Sequence, residues 1–470
     1  MLNRRQFLAY VSTVTAGGAL PLSLGAGQRR KRQPNVILCM ADDLGWGDPG
    51  FNGNTVIKTP CLDAMSQSGL CFKRFYAAAP VCSPTRGSCL TGRHPYRYGV
   101  FFANTGHLRN EEISLAEALK TQAYTTGHFG KWHLGTLLPD WSGKGRRREP
   151  SENYMTPAMS GFDQWFSTEY AVATWDPYDP DNAHGRNFDA RALYWHNGRN
   201  VTEPLKGDDS KIIMDRTLPF IRKAAKSERP FLAVVWFHAP HAPVVAGPEY
   251  RAMYSQYSED EQHYYGCITA MDEQIGRLRK ELRELGIAED TMLWFCSDNG
   301  PEGKDGKSGR FRGSAGPFRG RKRSLLEGGV RVPALLEWPG QVAGGTATDA
   351  PCCTSDYFPT MMDVLGFRMK GQPEPIDGES LMPLIQGKTF QRSHPIGFES
   401  HKQIALTGTR YKLYSSNGGK TYALYDLIDD PGESSDLAEN KPEVVATMQR
   451  TLEKWRESCS DSLAGEDYSG

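Results

Sequence analysis

"NVILCMADD", Asn35–Asp43, is a run of apolar residues without helical periodicity that stops abruptly at two carboxylates. A short, continuous apolar run is what a strand buried on both faces requires. Three further stretches repeat the pattern. "FLAVVWFHAPHAP" (Phe231–Pro243) delivers His238 and His241, and "TMLWFCSDNG" (Thr291–Gly300) delivers Asp298 and Asn299. The weaker "QAYTTGHFGKWHLG" (Gln122–Gly135) delivers Lys131 and His133. Amphipathic patterns lie between them, such as "DEQIGRLRKELRELG" (Asp272–Gly286), with Gly286 as the stop. Such strands alternating with helices predict an α/β fold, a mostly parallel central sheet sandwiched by helices. Ligands bind such sheets beyond the carboxyl ends of the strands. All four polar clusters fall there.

The chain has 470 residues, 39% hydrophobic and 23% charged, which is the balance of a globular protein with a real core. Lys+Arg and Asp+Glu both total 55, so charge gives no argument for a nucleic-acid partner. "NRRQFL" (Asn3–Leu8) precedes an uncharged, weakly hydrophobic run, Ala9–Gly27, rich in Gly, Ala, Ser and Thr. A twin arginine before such a run resembles a bacterial export signal, and the run is interrupted too often for a membrane anchor. Residues 1–33 are therefore expected to be signal and linker, with the mature protein periplasmic or extracellular and without a stable membrane span. After Gly387 the texture changes. "HPIGFESHKQIALTGTRYKLYSS" (His394–Ser416) alternates like antiparallel strands, and a helical pattern follows near Pro442–Cys459. A catalytic domain over 34–388 and a small C-terminal α+β subdomain with an antiparallel sheet over 389–470 are expected.

Asp42 and Asp43, with Asp298 and Asn299 from a distant strand, make an all-oxygen ligand set. It suits calcium or magnesium better than zinc. Arg86, Lys131, His133, His241 and Lys322 supply basic side chains around it, as an anionic tetrahedral substrate would need. "VCSPTRGSCLTGR" (Val81–Arg93) adds a cysteine. Pro84 reads as a first helical residue, which places Cys82 near the helix cap, where free N–H groups stabilise an anion. The ten cysteines otherwise sit at irregular spacings and read as buried thiols.

These segments resemble the type I, formylglycine-dependent sulfatases, of the arylsulfatase kind. "CSPTRGSCLTGR" looks like the family signature, in which the cysteine is oxidised after translation. "ADDLGWGD" (Ala41–Asp48), "GKWHLG" (Gly130–Gly135), "HAPHAP" (His238–Pro243), "SDNG" (Ser297–Gly300), "GRKRSLLEGGVRVP" (Gly320–Pro333) and "LYDLIDDPGESSDLA" (Leu424–Ala438) follow in the family's order. The resemblance implies an alkaline-phosphatase-like fold and hydrolysis of sulfate esters with release of sulfate. It implies that a formylglycine-generating enzyme converts Cys82 to an aldehyde, whose hydrate attacks sulfur. It further implies a cation, Ca2+ or alternatively Mg2+, held by Asp42, Asp43, Asp298, Asn299 and modified residue 82. Arg86 would favour the alkoxide, Lys131 and Lys322 would offset sulfate charge, and His241 would assist the departing oxygen. His133 would take the proton that releases sulfate. His238 reads as structural, and Arg321 and Arg323 as candidates for the outer pocket.

The substrate is expected to be a sulfated small molecule or glycan, more plausibly a carbohydrate. Three loops are candidates for its recognition: the aromatic segment Thr174–Asn200 and the basic segments Gly143–Glu149 and Gly303–Arg323. Two alternatives stand beside this reading. One is a phosphate or phosphonate ester hydrolase using the same site, the other a sulfated-glycan-binding protein with Cys82 unmodified.

Overall fold

The computed structural model describes residues 33–143, 145–183 and 189–468. The twin-arginine segment, Lys144 and residues 184–188 lie outside them, and no helix among the described residues is long and apolar enough to cross a membrane. The four apolar runs form strands β1 (Asn35–Ala41), β3 (Thr125–Lys131), β7 (Phe231–Trp236) and β8 (Thr291–Ser297). With β4 (Gln164–Thr168) they make a parallel stack in the order β8–β1–β7–β3–β4. Register brings their carboxyl ends together: Ala41 pairs with Ser297, while Met40 and Gly130 both pair with Trp236.

Antiparallel strands extend the sheet at both edges. β2 (Leu70–Tyr76) and β9 (Arg331–Glu337) lie beyond β8, and β5 (Trp195–His196) and β6 (Arg199–Asn200) beyond β4. Short β10 (Thr346–Thr348) and β11 (Cys352–Cys353) pair in parallel with β2. The fold is alkaline-phosphatase-like.

Successive residues of β1 enter opposite cores, which is why the run carries no polar alternation. Val36, Leu38 and Met40 join one cluster, and Ile37, Cys39 and Ala41 the other. Helices Cys82–Thr91, Leu115–Lys120 and Tyr357–Leu365 cover the first face. Helices Pro60–Ser68, Asp209–Lys226 and Glu259–Glu284 cover the second. The last of these begins at a Ser258/Glu261 capping box and ends before Gly286, whose φ of 67° takes the left-handed conformation expected of it.

β12 (Ile396–Ser400), β13 (Gln403–Thr407), β14 (Tyr411–Ser415) and β15 (Ala423–Asp426) form a separate antiparallel sheet, backed by the helix Pro442–Ala464. The described residues from Pro34 onward form one compact unit. A buried ion cluster ties the second sheet to the first body. Lys412 of β14 lies 3.0 Å from Glu327 and 2.9 Å from Glu433, all three with side chains 0% exposed. All ten cysteines are free thiols, nine of them buried.

Candidate active site

Four strand ends and one helix start converge. Cys82 is the first residue of the helix Cys82–Thr91, which is buried along its whole length, with Val81 as N-cap. Pro84 is thus the third helical residue, two places later than the sequence suggests. Its missing N–H still falls among those that a helix leaves unbonded. The sulfur of Cys82 and carboxylate oxygens of Asp42 and Asp298 lie within 4.8 Å of one another, as do ligand atoms of Asp42, Asp43 and His241.

Hydrogen bonds fix this cluster across long sequence distances. The Asp43 N–H donates to Asp298 Oδ1 (3.1 Å), and Asn299 Nδ2 donates to Asp43 Oδ1 (2.7 Å). Arg86, fully buried, donates to Asp298 Oδ2 at 2.6 Å and to the Lys131 carbonyl at 3.2 Å. Its guanidinium lies over the Trp236 ring, 5.1 Å from the centroid. Lys131 Nζ is 2.6 Å from Asp42 Oδ2, and Lys322 Nζ is 2.7 and 2.8 Å from the two oxygens of Asp43. His241 Nε2 stands 3.7 Å from Asp43, and its Nδ1 contacts the Ala242 carbonyl at 2.6 Å. Asp42, Asp43, Cys82, Arg86, Lys131, His241, Asp298, Asn299 and Lys322 are therefore gathered here.

The residues fit a hard divalent cation. Asp42 Oδ1 and Asn299 Oδ1 are buried oxygens without a hydrogen-bond partner, a costly condition that a cation relieves. Electrostatics agree. Burial and repulsion from Asp42 push the Asp298 carboxyl up, whereas Asp42 is held low, against its own burial, by Lys131, His241 and Arg86. Burial pushes the Cys82 thiol up despite Lys131 and Lys322, so the unmodified side chain is protonated at neutral pH and a weak nucleophile. Burial also draws His241 down to about 4 and His133 well below its ordinary value, leaving both neutral.

A pocket of about 180 Å³ opens over this cluster, lined among others by Cys82, Lys131, His133, His241 and Lys322. Two partners went unnoticed in the sequence. Asn104 Oδ1 lies 2.8 Å from His133 Nε2, while the Asn104 N–H donates to Ser83 beside the cysteine (3.3 Å). Glu302 lies 3.4 Å from Lys322 and pairs with both terminal nitrogens of Arg323. Asp43, Asn104, His133 and Arg323 all adopt positive φ (69°, 60°, 60° and 76°), a region in which Arg is especially uncommon. Gly300 follows the ligand pair because its backbone crosses that of Gly328–Gly329, and a Cβ there would collide with the Gly328 carbonyl.

Other expectations resolve as well. His238 is structural: it lies 2.7 Å from both Asp209 and Thr168. Arg321 lines an outer cleft of about 1000 Å³, with its guanidinium donating to the carbonyls of Glu302, Gly303 and Gly313. Arg146 of the loop Gly143–Glu149 is likewise internal, donating to the carbonyls of Gly106 and His133. No described residue of Thr174–Asn200 lines the pocket; Tyr170 and Ala171 do.

The sulfatase family model matches residues 34–367, so it covers well over half of the chain. The chain belongs to the sulfatase family. The model of the C-terminal region of N-sulphoglucosamine sulphohydrolase matches residues 316–458. N-acetylgalactosamine-6-sulfatase of Rattus norvegicus is 31% identical over 415 residues, covering 84% of this chain and 72% of that protein. Arylsulfatase G of Rattus norvegicus is 31% identical over 474 residues, covering 89% and 85%. The solved structure of Ps i-CgsB in complex with k-i-k-neocarrahexaose superposes with a TM-score of 0.78 at 27% identity, covering 93% of this chain and 94% of that one. This sulfatase is accordingly a sulfuric ester hydrolase.

Proposed function

We propose that this sulfatase removes sulfate from a sulfated carbohydrate by way of a formylglycine made from Cys82. The observation that carries the reading is one buried cluster: Cys82 beside Asp42 and Asp298, with the Asp42 and Asn299 oxygens unpartnered. Asp42, Asp43, Asp298 and Asn299 would hold a divalent cation, with Ca2+ favoured by the hard, mixed carboxylate and amide donors. When present, the oxidised side chain and the cation supply an oxygen nucleophile and the Lewis acidity that activates it.

The chain's own residues do the rest. Arg86 stabilises negative charge at residue 82 and holds Asp298 through a 2.6 Å hydrogen bond that favours its ionised form. Lys131 and Lys322 point ammonium groups into the pocket, where they offset charge on the sulfate oxygens as it grows in the transition state. His241, beside Lys322, would deliver a proton from Nε2 to the departing ester oxygen once the substrate's negative charge favours its protonated form. His133 has Nε2 against Asn104 and a buried Nδ1 without a partner, so it stands as the base that accepts a proton within the pocket. The relatives named for N-acetylgalactosamine 6-sulfate, and the neighbour bound to a carrageenan-type hexaose, support a glycan as the substrate class. The twin arginine supports export before action. Residues 34–388 would carry the chemistry and 389–470 the second sheet.

Parallel rates on 4-methylumbelliferyl sulfate and 4-methylumbelliferyl phosphate test the reaction class. Sulfate should be strongly preferred and Cys82→Ala should abolish turnover while the protein stays folded. A dominant phosphatase activity, or full activity in Cys82→Ala, overturns the proposal.

A further inference from the structure

The reaction pocket is small. At about 180 Å³ it falls below the ~300–1,000 Å³ usual for whole-ligand sites, so it accommodates a sulfate group and little of what carries it. Beside it lies a much larger cleft of about 1000 Å³, and Lys322 and Arg323 line both. The cleft is the natural place for the remainder of a substrate whose sulfate is in the pocket.

Its construction is that of a preformed site. Arg321 donates to carbonyls on both arms of the loop, Glu302 and Gly303 on one side and Gly313 on the other, which fixes the wall without being presented to a ligand. Gln403, from the antiparallel sheet, also lines the cleft. Its Nε2 donates to the Arg323 carbonyl at 2.7 Å, and its Oε1 accepts from the Leu325 N–H at 3.0 Å. Arg323 is pinned further by its own N–H, which donates to Pro80 at 2.8 Å, and is held at φ 76°. That backbone turn sets its guanidinium, 53% exposed, at the junction of pocket and cleft.

The lining is cationic in excess. Lys304, Lys307 and Arg312 join Arg323 along it, against Glu302 and Asp305. Glu302 is already engaged by Arg323 and Lys322, Arg312 lies 3.7 Å from Asp260 and the Lys307 N–H donates to Asp305, while the ammonium groups of Lys304 and Lys307 form no ion pair within 4 Å among the described residues. Serine hydroxyls and glycine backbone groups make up most of the rest, with Phe318 as the sole aromatic. Charge and hydrogen bonding are what the side chains of such a surface offer a ligand.

We propose that this cleft is a second anion subsite, taking a sulfate or carboxylate on the sugar next to the one being desulfated. The inference rests on the sulfatase reading and narrows it. The preferred substrate is then an oligosaccharide with charge on neighbouring residues, not an isolated sulfated sugar or a simple aryl ester.

The test uses two disaccharides that both carry N-acetylgalactosamine 6-sulfate, one with a second sulfate on the neighbouring sugar. Affinities are measured by calorimetry on Cys82→Ala, which isolates binding from turnover. The disulfated compound should bind about tenfold tighter at low salt, a difference of about 1.4 kcal/mol that shrinks as ionic strength rises. Adding Lys304→Gln, Lys307→Gln and Arg323→Gln should erase the preference, since exposed ion pairs are each worth a factor of about two to five. The Lys304→Gln/Lys307→Gln pair, which leaves the Arg323 brace intact, should remove part of it.

Equal affinity for the two disaccharides, or a preference that survives all three substitutions, overturns the subsite. A single-stranded oligonucleotide that competes as well as the disulfated sugar overturns it too, by making the cleft a general polyanion surface. Failure of the unsubstituted enzyme to release sulfate from either disaccharide or from 4-methylumbelliferyl sulfate is a separate result, and it counts against the sulfatase reading itself.

Discussion

Lys412→Met removes the cation that bridges Glu327 and Glu433, and the structure sets the size of the penalty. The ammonium group is 3.0 and 2.9 Å from the two carboxylates, and no member of the trio is exposed. Glu433 also accepts the Glu327 N–H at 2.7 Å, and Glu327 accepts the Tyr76 hydroxyl at 2.9 Å, so neither acid can turn away to water. Breaking a buried pair by deleting one partner costs about 3–5 kcal/mol. Here Glu433 loses its cation while Glu327 keeps Arg331 at 3.4 Å, which argues for the lower part of that range. For a protein whose total stability is about 5–15 kcal/mol, this is a large fraction. The assay is the midpoint of urea unfolding, followed from pH 7 to pH 5. In the variant the buried Glu433 carboxyl, without Lys412, has a raised pKa, so the folded state binds more protons than the unfolded one and stability recovers on acidification. Lys412→Met/Glu327→Gln/Glu433→Gln should regain most of the loss at pH 7. Activity should fail earlier than global unfolding, because Glu327 begins the short helix Glu327–Val330 that follows the Lys322–Arg323 loop. A loss below about 0.5 kcal/mol for Lys412→Met, the value of an ordinary surface pair, would refute the reasoning.

Asn104→Ala should lower kcat about 10²-fold by freeing the His133 ring. Asn104→Asp should keep most of the rate and move the acid limb of the pH–rate profile upward, because a carboxylate favours protonated His133. Unchanged kinetics in Asn104→Ala would remove the positioning role. His94 is buried, its Nε2 has no partner, and burial draws its pKa down to about 4 from 6.5. The unfolded chain therefore takes up this proton first as pH falls. The wild type should lose up to roughly 3 kcal/mol between pH 7 and pH 4 on this account, a loss absent from His94→Asn. Parallel stability curves for the two proteins would contradict the assignment. Dialysis against a chelator should abolish aryl sulfate turnover and lower the melting temperature. Free Ca2+ at a hundred times its Kd should return about 2.7 kcal/mol of stability. No thermal response to chelator or Ca2+ would argue against the cation site.

The four strand ends were legible because a strand buried on both faces has no choice but a continuous apolar run, so its polar terminus stands out. Asn104 and Glu302 were not. Each acts through a partner brought near only by folding, Asn104 with His133 and Glu302 with Lys322 and Arg323, and neither has a local pattern. Arg321 and Arg323 were indistinguishable as neighbouring charges. The backbone turn at Arg323 is what directs one toward loop carbonyls and the other toward the pocket mouth. The two-residue strands β5, β6 and β11 are too short to show a period, and tertiary pairing alone defines them.

The central claim is most directly tested by mass spectrometry of the tryptic peptide Phe75–Arg86 from protein made in its native host. Conversion of the Cys82 thiol to an aldehyde exchanges sulfur for oxygen with loss of two hydrogens. The account predicts a peptide lighter by about 18 Da than its unmodified counterpart. A peptide that retains its full thiol mass, in a preparation that nevertheless cleaves sulfate esters, would contradict it.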